Sequence, residues 1–273
     1  MTEAQWKLTV DEDGVSIASD RFQLTASGYQ PEAPALTPDQ VMFEAAESGH
    51  IEAIVAELQG LTRRPYGQYC GLAHALEIIG ERWSMLIVRD LLVGPKRFTD
   101  LQKGLPRIPV NILFARLKEL ERSGVVARRS GTDETIVYDL TDYGRELDDI
   151  ALRLGRWGAR SLGEPRPFDV ITVDSMIMAM RTTFRAEAAG DLRAAFVLDL
   201  GDVVIHARVA GGQVQAGPGG LADPDLVIET KALKPLLAHE VTPAEAVAAG
   251  SVRITGSPAL LDRFVEIFAI PDR

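Results

Sequence analysis

Between residues 96 and 129 the chain carries nine basic side chains and three acidic ones, Asp100, Glu119 and Glu121. Lys96, Arg97, Arg107, Arg116, Lys118, Arg128 and Arg129 belong to this run. Ammonium and guanidinium groups at such density form a local footprint for a polyanion. Charge alone leaves the alternative of a merely solvated cluster. Other chemistry is sparse. Cys70 is the one cysteine, so there is neither an internal disulfide framework nor a multi-cysteine metal site. His50, His74, His206 and His239 are scattered, without metal-ligand spacing. There is no glycine-rich phosphate loop, no Ser-His-Asp arrangement and no framed carboxylate pair. The residues therefore point away from an enzyme, and no cofactor is expected.

The whole chain has a net charge of −10, which by itself argues against a polyanionic partner. The distribution reverses that reading. Residues 1–62 carry −9, residues 63–163 carry +4 and residues 164–273 carry −5. A basic segment thus sits between two acidic ones. No apolar run approaches the ~18 residues a membrane span needs. The N-terminus has no basic and apolar pattern of a signal peptide. Together with the single cysteine, this reads as a cytoplasmic protein.

The elements that must position the basic run are legible from periodicity. Leu72, Leu76 and Ile79, then Trp83, Leu86, Ile87 and Leu91, give two amphipathic helices around Gly80-Glu81-Arg82. Thr99 followed by Gln102 predicts a capping box at the start of a short helix, with Phe98 as its hydrophobic staple. Pro109 suits the first position of a second helix that stops at Gly124. Leu113, Leu117 and Leu120 lie at i, i+4 and i+7 and face a core. The opposite face carries Val110, Asn111, Phe114, Ala115, Lys118 and Arg122. A short helix, a tight turn and a longer helix read as a helix-turn-helix. Residues 125–129 and 136–140 then alternate as two strands of a β-wing, and Thr141 caps a helix running past Trp157.

Cys70, Ile79-Gly80-Glu81-Arg82-Trp83, Gly94-Pro95-Lys96-Arg97-Phe98, Leu113 with Leu117-Lys118-Glu119-Leu120, Gly124-Val125-Val126, Tyr138 with Leu140-Thr141 and Gly144, and Trp157-Gly158 recur in one order and spacing. In this the chain resembles the HxlR family, a MarR-like group of bacterial winged-helix regulators. The resemblance covers about 95 residues within 65–163. It implies a homodimer on a roughly palindromic double-stranded DNA operator, each second helix in a major groove. Asn111 becomes the expected base reader, because an amide can pair twice with adenine; a phosphate or capping contact is the competing role. Val110 and Phe114 are placed to meet thymine methyls, Phe114 alternatively packing inward. Lys96, Arg97, Arg107, Arg116 and Lys118 are expected on phosphates, and Arg128 and Arg129 on the wing beside the minor groove. Trp83, Tyr138 and Trp157 are expected in the core or a dimer interface. Family members often carry Ser where this chain has Pro109, so a hydroxyl N-cap is missing there. A cysteine at the position of Cys70 can act as a thiol redox switch in such proteins; a buried structural cysteine is the bland reading.

The fold class expected is α+β, in three parts. Residues 1–62 form an acidic N-terminal extension with a strand pair over 6–26 and a helix over 37–61, split at Gly49. This extension either masks the basic surface or serves as a solubilising appendage or dimer strut. Residues 63–163 form the winged helix-turn-helix domain. Residues 168–273, beyond the break at Gly163-Glu164-Pro165-Arg166-Pro167, alternate strands and helices. Asp223-Pro224-Asp225-Leu226, Thr242-Pro243-Ala244-Glu245, Val252-Arg253-Ile254-Thr255-Gly256 and Leu260-Leu261 with Phe264 resemble the end of sterol carrier protein-like domains. That resemblance implies a small apolar or lipid-like effector bound there, or else a pocketless dimerisation domain. Two function classes follow. One is a DNA-binding regulator, expected to repress. The other is a lipid-binding or carrier protein whose winged helix serves protein interaction.

Overall fold

The computed structural model describes residues 7–11, 14–19, 22–27, 65–131, 135–163, 165–231 and 233–270. In chain order these form β1 (Lys7–Asp11), β2 (Gly14–Ser19), β3 (Phe22–Ser27), α1 (Gly71–Ile79), α2 (Ser84–Val93), α3 (Phe98–Gly104), α4 (Val110–Arg122), β4 (Val126–Ser130), β5 (Ile136–Leu140), α5 (Asp142–Arg145) and α6 (Leu147–Ala159). The C-terminal third adds α7 (Val173–Thr183), α8 (Ala186–Ala189), β6 (Ala194–Asp199), β7 (Val204–Ala210), β8 (Gln213–Pro218), β9 (Leu226–Thr230), α9 (Lys234–Leu237), α10 (Pro243–Ala248), β10 (Val252–Gly256) and α11 (Pro258–Ile267). Two compact units result, Met1–Ser84 with Arg107–Ser123, and Met85–Pro106 with Gly124–Arg273.

In the first unit the expected strand pair is a three-stranded antiparallel sheet, β1-β2-β3, with Leu8 opposite Ile17 and Ile17 opposite Leu24. The helix expected over 37–61 lies outside the described residues. Helix α4 contacts α1. Its Leu113, Leu117 and Leu120 are buried, as the i, i+4, i+7 spacing requires.

The second unit begins with α2, whose Ile87, Val88 and Leu91 are buried. Strands β4 and β5 pair antiparallel, Arg128 opposite Tyr138. Lys96 extends this ribbon by exchanging both backbone hydrogen bonds with Tyr138, at 2.9 and 2.7 Å. Thr141 caps α5, its Oγ1 accepting from the Gly144 N–H at 3.0 Å. Gly144 must be glycine: a Cβ there would lie 2.0 Å from the Val125 carbonyl oxygen. The single helix expected after Thr141 is broken into α5 and α6 at Glu146.

Between α6 and α7 the described residues form neither helix nor strand. Helix α7 starts with a reciprocal Thr172–Ser175 capping box and packs on α6, where Gly155 admits the Thr182 side chain. Met176, Met178 and Met180 are buried. The five strands of the C-terminal sheet run β10-β9-β6-β7-β8, with β6 and β9 parallel and the other pairs antiparallel. Phe196, Phe264 and Phe268 fill its core, with centroid separations of 4.8 to 6.2 Å.

Candidate nucleic-acid interface

Burying Leu113, Leu117 and Leu120 leaves Val110 and Asn111 half-buried on the first turn of α4. Pro109 is the N-cap, one position earlier than expected, and supplies no side-chain hydrogen bond. The first-turn N–H groups therefore keep their electropositive character. Arg107 is exposed just ahead of this turn.

Further along α4 the structure revises the expected phosphate contacts. Arg116 is only 4% exposed. Its guanidinium hydrogen-bonds Glu119 and lies 3.7 Å from Glu81, so it serves the packing of this unit rather than a phosphate. The cause is local: Arg116 and Glu119 are three apart on one helix, within reach of each other. Phe114 is also buried, at 7%. The Lys118 ammonium lies 5.4 Å from the Phe114 ring centroid and 3.5 Å from Glu121 Oε2.

The basic residues of the second unit are likewise partnered. The α3 cap is not the expected Thr99–Gln102 pair. Arg97 is the N-cap, and its backbone N–H donates to Asp100 Oδ2 at 3.2 Å. The Arg97 guanidinium grips the same carboxylate through Nε and Nη2, at 2.9 and 3.2 Å. That hydrogen bonding holds the Asp100 carboxyl below its usual range. Phe98, expected ahead of the cap, is the first helical residue and is buried. Lys96 donates to Asp174 Oδ1 on α7 at 2.8 Å, so its ammonium faces α7 rather than open solvent.

On the wing, Arg128 is exposed. Arg129 pairs with Asp139 Oδ2 at 3.2 Å, and Arg145 takes the other oxygen of that buried carboxylate at 2.6 Å. Asp139 thus ties the wing to α5, while Arg129 remains 55% exposed. Nothing in the spacing of the sequence marks Asp139 or Asp174 as partners of these bases. Lys103 and Arg122 are two further exposed bases of the same basic run.

Cys70 is exposed at the N-cap of α1, and the amides of Ala73 and Leu72 hold its thiol below the ordinary value. Tyr138 is buried; Trp157 is 70% exposed. With Ile150 at 51% and Leu154 at 50%, Trp157 forms an apolar stripe at i, i+4, i+7 on α6, a helix without a buried residue. Among the described residues no group of three or more His, Cys, Asp or Glu could hold a metal ion. No described helix is long and apolar enough to cross a membrane.

Residues 78–165 match the family model described as HxlR-like helix-turn-helix. The chain is 34% identical over 93 residues to the HTH-type transcriptional regulator YdeP of Bacillus subtilis, spanning 33% of this chain and 73% of that protein. It is 41% identical over 85 residues to the regulator YvaP of the same organism, spanning 30% and 79%. Among solved structures, the redox regulator HypR in its oxidized form is 31% identical, with a TM-score of 0.33, covering 35% of this chain and 100% of that one.

Proposed function

The chain belongs to the HxlR-like helix-turn-helix family, and from that premise we propose that it is a sequence-specific DNA-binding transcriptional regulator, acting as a homodimer and repressing its targets. The observation that carries the reading is the coincidence of the family match, residues 78–165, with the basic segment of an otherwise acidic chain. In this proposal α4 enters the major groove by its first turn, with Asn111 on a base edge and Val110 beside it. Arg107, Lys118 and Arg97 meet phosphates, and Arg128 and Arg129 lie along the minor groove. Arg116 and Phe114 leave this set, because burial takes them off the surface. The second copy covers the α6 stripe of Ile150, Leu154 and Trp157.

The C-terminal domain supplies the input, as a sterol carrier-like fold that senses a small apolar molecule. Cys70 is proposed as a second input, supported by its exposure and its depressed thiol pKa. Unchanged operator affinity after oxidation, with mass spectrometry showing Cys70 modified, would remove that input.

A gel shift with the DNA upstream of the protein's own gene tests the main reading. Binding that weakens steeply with salt is the expected result. No shift at low salt contradicts it.

A further inference from the structure

Asp90, on α2, has no solvent exposure. Its Oδ1 accepts from Arg89 Nε at 2.8 Å and lies 2.7 Å from Arg89 Nη2. Its Oδ2 has no hydrogen-bond partner. A buried carboxylate oxygen without a donor is costly while the group is ionised. This oxygen lies against Gly104, the last residue of α3. A Cβ on Gly104 would be 2.6 Å from Asp90 Oδ2 and 3.6 Å from Asp174 Oδ2. Two carboxylates, one from α2 and one from the first turn of α7, thus flank one bare glycine.

Asp174 is in turn the partner of Lys96, at 2.8 Å. The charged groups facing Asp90 are therefore Arg89 on its own helix, Lys96 from the segment before α3, and Asp174 from α7. From α3 it meets Gly104, which has no side chain to offer. An open cleft of about 490 Å³ is lined in part by Val93, Lys96, Gly104, Asp174 and Pro218, so the Lys96–Asp174 pair sits on its wall.

We propose that Asp90 is a proton-operated latch between the winged-helix region and the C-terminal domain: neutral, it lets Asp174 seat beside it on Lys96; ionised, it repels Asp174 and loosens that seat. The protonation chemistry agrees with the geometry. Burial first, and then the charge of Asp174, push the Asp90 carboxyl from 3.8 up to about 6, against the pull of Arg89 and Lys96. A carboxyl raised in the seated state takes up a proton on seating. Seating is therefore strongest below the ordinary carboxylate range, weakens as pH rises through about 6, and stays at its weaker level above that. The consequence for DNA rests on the proposed function: release from Asp174 returns the Lys96 ammonium to the phosphate-binding surface.

The test uses the full-length protein with ¹³C-labelled aspartate. The Asp90 carboxyl resonance, identified by its loss in Asp90→Asn, is expected to titrate near 6 in the wild type and clearly lower in Asp174→Asn. Backbone assignment through residue 90 identifies it if Asp90→Asn does not fold. Amide exchange over residues 172–183, corrected for its intrinsic pH dependence, should lose protection several-fold through that pH in the wild type. It should be flat in Asp90→Asn. An Asp90 that titrates in the ordinary carboxylate range, a midpoint indifferent to Asp174→Asn, or pH-independent protection of α7 would each overturn the latch. None of these readouts involves DNA, so they stand or fall separately from the regulator reading.

Discussion

Lys96 is held at both ends: its ammonium donates to Asp174 Oδ1 at 2.8 Å, and its backbone is paired with Tyr138 of the wing ribbon. A residue of the basic run is thereby in direct hydrogen-bond contact with α7. Asp174→Asn removes the charge that competes for Lys96. The variant is expected to bind nonspecific duplex more tightly, with the slope of log K against log salt steeper by about one phosphate contact, ~0.9. Fluorescence anisotropy across a salt series checks this. An unchanged slope would show that Lys96 does not reach a phosphate even when released.

Arg116 is expected to behave as a structural residue. Arg116→Ala leaves Glu119, 12% exposed, without this guanidinium. A loss of about 3 kcal/mol is expected, read as a lowered midpoint in denaturant. The salt slope of DNA binding should not change. A flatter slope with unchanged stability would return Arg116 to the phosphate contacts.

Asn111 and Arg107 should separate cleanly. Asn111→Ala is expected to cost about 1–3 kcal/mol on the specific site and little on nonspecific DNA. Arg107→Ala should weaken both about equally, since a phosphate contact carries no sequence information. Competition binding with operator and scrambled duplexes distinguishes the two patterns.

These assignments mark where the sequence was legible. The burial of Leu113, Leu117 and Leu120 and the Thr141 cap follow from spacing within a few residues, and the structure contains them. The basic run was visible as composition, yet its partners were not. Lys96 and Asp174 are 78 residues apart in sequence, and only the packing of α7 brings them together. Asp139, bound by Arg129 and Arg145, was hidden for a similar reason: strand pairing fixes which face of the wing it occupies. The α3 cap is built by Asp100, which meets both the Arg97 backbone and its guanidinium, and not by the Thr99–Gln102 pattern.

The apolar stripe on α6 predicts self-association. Trp157→Glu puts a carboxylate on a residue 70% exposed in the single chain, so folding should be little affected. Sedimentation is expected to show a dimer for the wild type and a monomer for the variant. A variant that remains dimeric would place the interface elsewhere.

Gly144→Ala should be among the most damaging small substitutions, because its Cβ would sit 2.0 Å from the Val125 carbonyl oxygen. A loss above about 2 kcal/mol is expected by thermal denaturation. Wild-type stability would mean that α5 and the Val125 carbonyl move apart freely.

The most direct measurement is the salt dependence of binding to the duplex upstream of the protein's own gene. A regulator using the basic run 96–129 should bind at low salt, lose affinity steeply as salt rises, and retain a specificity gap that Asn111→Ala narrows. No binding at low salt, or binding indifferent to salt and to Asn111, would contradict the account.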